Sequence, residues 1–134
     1  TGEELDAPDE FMLVASFNPG YRRGLKDLKP STRQRFVALS LGYPDAATEA
    51  AIVHTEAALD RPMCERLVSL ARKIRTLSEL GLTETVSTRL LVDAAKLIHA
   101  GLHPRIALGV AVVHPLTDDI ETARTMQDVV DLMF

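Results

Sequence analysis

The sequence holds side chains of the kind that handle phosphate or another anion. One group is a run of basic residues, Arg22, Arg23, Lys26, Lys29, Arg33 and Arg35, broken by a single acid, Asp27. That run is strongly positive inside a chain whose net charge is −4, an asymmetry that asks for an anionic partner, small or polymeric. A second is Arg89 in "VSTRLLVDAAKLI", where Ser87 is a helix-capping signal and places the guanidinium in the first turn. A cation is mildly unfavourable there by the helix dipole. The same position suits a phosphate, because free backbone N–H groups and a guanidinium then converge on one anion. A third is Asn18, a carboxamide at the end of the apolar run "FMLVASF". Each has a plainer reading: loop cations are usually solvated, Asn-Pro is a turn signal, and Arg89 alone is an ordinary surface residue.

The elements that must position these residues are of two kinds. "FMLVASF" (11–17) is short and apolar throughout, bounded by "APDE" and "NPG", and its pattern predicts a strand buried on both faces. "FVALSL" (36–41) predicts a second, shorter strand ended by Gly42 and Pro44. After Pro44 the period becomes helical. Asp45 caps a helix reaching about Leu59, and Asp60 with Pro62 opens the next. In that second helix Met63, Leu67, Leu70, Ile74 and Leu77 form one stripe, and Gly81 is the expected terminator. A third helix starts at Ser87, with Leu91, Ala94, Ala95 and Ile98 on one face. "PRIALGVAVVHP" predicts a fourth, largely buried helix, and a fifth opens at Asp118 or Asp119.

Two short strands cannot bury a doubly apolar one, since an isolated pair is marginal even with one face wet. The expectation is therefore an α/β fragment, residues 1–44, forming the end of a core sheet, followed by an all-α unit of about five helices over residues 45–134.

"FMLVASFNPGYRRGLKDLKPSTRQRFVALSLGYP" together with "VSTRLLVDAAKLI" resembles the MoxR-type AAA+ ATPases of the CbbQ/NirQ/NorQ group, over the stretch from about residue 11 to the end. The resemblance implies the last part of a AAA+ core followed by the helical lid, with Thr1 inside the domain. It implies that Asn18 is sensor 1, positioning the attacking water, and that Arg35 is the arginine finger reaching a neighbouring subunit's nucleotide, with Arg33 as the alternative. It implies that Arg89 is sensor 2, contacting ATP phosphate in its own subunit or a neighbour's. It further implies ATP and Mg²⁺ as cofactors of the full-length parent and a ring, of hexameric type. A von Willebrand factor A-domain partner is implied too, with a client enzyme such as rubisco or nitric oxide reductase to be remodelled.

The chain contains no G-x-x-x-x-G-K-[ST] phosphate loop and no apolar run ending in Asp-Glu. It is therefore expected to be inactive alone and to hold no nucleotide tightly. The rival reading is a non-enzymatic helical module whose basic loop docks an acidic partner. Nucleic acid is not expected as a ligand, because only Tyr21 and Phe36 offer stacking platforms near the basic run. His99 and His103 have helical metal-ligand spacing, but Gly101 lies between them and no third ligand is near. His54 and His114 have no companions, and Cys64, the single cysteine, has no evident base and reads as structural. No apolar run approaches a membrane span and the N-terminus has no signal-peptide pattern, so a cytoplasmic location is expected.

Overall fold

Apolar residues at spacings of three and four, closed by side chains that cap the first turn, build nearly all the regular structure. The computed structural model describes residues 2, 6–16, 29–78 and 85–134. It divides into two units, Thr1–Ser40 and Leu41–Phe134.

In the second unit, α2 (Ala46–Ala57) begins where Asp45 accepts the backbone N–H of Thr48 at 2.9 Å and its hydroxyl at 2.8 Å. It ends at Ala58, whose φ of 52° is left-handed and whose N–H bonds the His54 carbonyl. Helix α3 (Arg61–Ser78) starts where Asp60 accepts the N–H of Met63 at 3.2 Å. Helix α4 (Thr88–His99) is capped by Ser87 and closes in a Schellman motif. There Gly101, at φ +99°, donates to Ile98 and Leu102 donates to Leu97. Pro104 opens α5 (Pro104–Leu108), which runs into a π-helical turn (Gly109–Val113) and then α6 (His114–Leu116). The π-turn is closed by the N–H of His114 bonding the Gly109 carbonyl. Asp119 caps α7 (Ile120–Met133) through the N–H of Thr122 at 2.8 Å.

These helices share one core. Helix α2 packs on α3 and α4, α4 on α5 and the π-turn, and α7 on α3, α5 and the π-turn. Leu67, Leu70 and Ile74 of the expected α3 stripe are fully buried, as are Leu91, Ala94 and Ala95 of the expected α4 face. Val53, Leu108, Val112, Val113 and Val130 complete the centre. The helical expectation for this part of the chain agrees with the structure, except that the fourth helix carries the π-turn.

The expected core-sheet end is not formed, and the α/β assignment is corrected. Among the described residues there is no strand. Residues 11–16 and 37–45 have no regular secondary structure. Phe11, Met12, Leu13 and Val14 are between 61% and 81% exposed, and Val37, Leu39 and Leu41 between 86% and 94%. The physical reason is that apolar run and β-propensity describe only what a segment tolerates. A strand exists when its N–H and C=O groups find a ladder partner, and the described residues provide none. The segment between them instead forms a single turn, α1 (Pro30–Arg33), with Pro30 at the first helical position.

Candidate functional site

Arg89 is the second residue of α4 and is exposed. It makes no hydrogen bond or ion pair with any described residue. The first turn that carries it is bonded loosely within itself. Both the Leu90 N–H to Ser87 Oγ bond and the Leu91 N–H to Ser87 carbonyl bond are 3.4 Å long. Its ties to the rest of the unit are shorter. Thr88 Oγ1 donates to Glu49 Oε1 at 2.7 Å, and Arg75 Nε donates to the Val86 carbonyl at 2.8 Å.

Both ties lead to one buried ion pair. Arg75 donates from Nη1 to Glu49 Oε2 at 2.8 Å and from Nη2 to Glu49 Oε1 at 2.7 Å, the two-pronged geometry that a guanidinium makes best. Glu49 is 0% exposed and is the buried charged residue of the core. The Arg75 guanidinium also lies over the Tyr43 ring, 3.7 Å from its centroid. Burial pushes the Glu49 carboxyl up. The hydrogen bonds from Arg75 and Thr88, and the charges of Arg75 and Arg72, outweigh burial and hold it below its ordinary value. The pair is neutral as a unit, so Arg89 and the exposed Arg72 remain as uncompensated cations of this region.

Sequence reasoning read Arg75 only as a cation suited to a helix C-terminus, and missed Glu49. The signal was available: Glu49 is four and eight residues before Val53 and Ala57, on the buried face of α2.

Arg33 and Arg35 lie in the first unit, Arg33 closing α1 and Arg35 just beyond it, where its N–H bonds the Thr32 carbonyl at 3.1 Å. Both are exposed and neither has a partner among the described residues. Asn18, with Arg22, Arg23 and Lys26 of the basic run, lies outside the described residues.

Among the described residues no group of three His, Cys, Asp or Glu side chains is placed to hold a metal. His54 Nδ1 is 2.6 Å from the Leu59 carbonyl, a local bond at the end of α2. Cys64 is fully buried, its Sγ 3.6 Å from the same carbonyl, and burial followed by the charge of Asp60 pushes the thiol up. No described helix is long and apolar enough to cross a membrane.

A family model described as "CbbQ/NirQ/NorQ C-terminal" matches residues 49–133, which include Glu49, Arg75 and Arg89. The denitrification regulatory protein NirQ of Pseudomonas aeruginosa is 52% identical over 132 residues, covering 98% of this chain and 51% of that protein. Protein NorQ of Paracoccus denitrificans is 51% identical, over 100% of this chain and 50% of its own. Protein CbbQ of Hydrogenophilus thermoluteolus is 41% identical, over 99% and 50%. The chain thus spans about half the length of these curated relatives. It belongs to the CbbQ/NirQ/NorQ group of MoxR-type AAA+ proteins and carries that family's C-terminal region.

Proposed function

We propose that this chain supplies the helical lid and the arginine-bearing segment of an ATP-driven activator that remodels a client enzyme. The observation that carries the reading is Arg89, an exposed, unpartnered guanidinium in the first turn of α4, inside the stretch the family model matches. On this reading Arg89 is the lid's sensor 2 and meets the ATP phosphates. Arg35, or Arg33 as the alternative, is the finger presented to the nucleotide of the next subunit in a ring of hexameric type. Asn18 is sensor 1, holding the attacking water.

Phosphoryl transfer requires mainly positioning and neutralisation of charge on the transferring group, which fixed guanidinium groups supply. ATP with Mg²⁺ is the cofactor, bound where the polypeptide provides a phosphate loop, which this stretch of sequence lacks. The client is rubisco or nitric oxide reductase, engaged together with a von Willebrand factor A-domain partner. Greater identity to a denitrification regulatory protein than to CbbQ favours the nitric oxide reductase arm.

The test is Mg²⁺-dependent ATP turnover of the full-length protein. Arg35→Ala is expected to lower turnover by about 10³–10⁵ while nucleotide binding is kept. Unchanged turnover sinks the finger assignment and transfers the question to Arg33→Ala. Arg89→Ala is expected to weaken nucleotide binding or turnover, and wild-type behaviour in both would remove Arg89 from the site.

A further inference from the structure

We propose that Glu49 and Arg75 are positioning residues for Arg89, setting the first turn of α4 through Thr88 on one side of the cap and Val86 on the other; the proposal rests on the phosphate-contacting role given to Arg89 above. The local cap is weak. Both bonds from Ser87 into the turn are 3.4 Å, near the limit of a hydrogen bond. The tertiary bonds are short and charge-assisted where the local ones are long and neutral: Thr88 Oγ1 to Glu49 Oε1 at 2.7 Å, and Arg75 Nε to the Val86 carbonyl at 2.8 Å. Where the turn sits is therefore decided by the ion pair rather than by Ser87.

The ion pair is itself held against rotation. Both Glu49 oxygens and all three Arg75 nitrogens are engaged, and Tyr43 stacks on the guanidinium face. Val86 is fully buried, so the carbonyl side of the cap cannot drift into solvent to find another donor. Arg89 adjoins Thr88 in sequence and has no contact of its own to orient it, so its place follows from that of the turn. A bidentate acid–base pair used this way aims a neighbouring cation without touching the anion the cation binds.

The test uses the isotopically labelled chain and three substitutions. Thr88→Val removes one hydroxyl at constant shape. Arg75→Lys keeps a cation beside Glu49 and loses the fork and the bond to Val86. Thr88→Ser returns the hydroxyl as a rescue. Residual dipolar couplings across Ser87–Val92 and exchange of the Leu91 amide read the turn. The Arg89 Nε–Hε resonance, titrated with tripolyphosphate, reads its use.

In Thr88→Val and Arg75→Lys the couplings are expected to change, and Leu91 exchange to rise about tenfold with exchange in α7 unaltered. The tripolyphosphate dissociation constant is expected to rise several-fold, and Thr88→Ser to restore both. Wild-type couplings, exchange and affinity in both variants, with Arg89 still responsive, would overturn the positioning role alone. An Arg89 resonance that ignores tripolyphosphate in the unsubstituted chain would remove the phosphate-contacting reading, and this inference with it.

Discussion

Arg75 in α3 closes a two-pronged ion pair on Glu49 in α2, with both bonds between 2.7 and 2.8 Å and the carboxylate wholly buried. Such a pair adds little over apolar packing when intact, yet breaking it is costly, because the surviving charge keeps its desolvation without its partner.

Glu49→Ala is therefore expected to destabilise the helical unit by about 3–5 kcal/mol. The double substitution Glu49→Leu with Arg75→Met is expected to recover most of that loss. Urea unfolding of the four corners of this cycle measures it, and a double variant no better than Glu49→Ala would contradict the account.

Acid reads the same pair. The folded protein holds the Glu49 carboxyl below its ordinary value of 4.5, while Asp45 and Asp119 are held below 3.8. Asp45 is lowered chiefly by the N–H of Thr48, and Asp119 by the hydroxyl and N–H of Thr122. Each group binds its proton more tightly when unfolded, so its contribution is complete above the unfolded value and is lost as pH falls through the folded one. The stability difference between the unsubstituted chain and Glu49→Gln is expected to be constant from about pH 7 to about pH 5, and to shrink below about pH 4.5. A difference that shrinks instead as pH rises from about 5 to about 7 would show the sign to be wrong.

Opposite substitutions at two helix ends are expected to act in opposite directions. Ala58 sits at φ 52°, where a Cβ is strained, so Ala58→Gly is expected to stabilise by about 0.5–1 kcal/mol. Gly101, at φ +99°, has open space around it, so only backbone strain opposes Gly101→Ala, which is expected to cost about 1 kcal/mol. Thermal midpoints of the two variants moving in the same direction would refute this.

Cys64 is expected to be inert in the folded chain. A thiol-reactive disulfide reagent at neutral pH should leave it unmodified until urea unfolds the protein, then react once per chain, as a buried thiol pushed up by its surroundings requires. Rapid modification before unfolding would mean that the α2–α3 junction opens locally.

The legibility of the structure followed the range of the interactions. Asp45, Asp60, Ser87 and Asp119 were readable as helix starts because a cap is a bond between a side chain and a backbone group three residues on. The stripes of α3 and α4 were readable because burial repeats with the helical period. The strands were misread at 11–17 and 36–41 because a strand is a relation between two segments, and one segment's composition cannot supply the other. Glu49 and Arg75 stand 26 positions apart, and nothing local announces their pairing. At the candidate site, Ser87 fixed the place of Arg89 in its helix, whereas what holds that helix end became visible only in three dimensions.

The π-turn at Gly109–Val113 also constrains the chain's arithmetic. Leu108 and Val113 are five residues apart and both fully buried, whereas in an uninterrupted α-helix such residues diverge by about 140° around the axis. The wide turn absorbs one extra residue and so keeps both on the core. Deleting a residue there would turn Pro115 and Leu116 by about 100° relative to Pro104. The length of this helix, and not only its apolar content, is thereby fixed to the single residue.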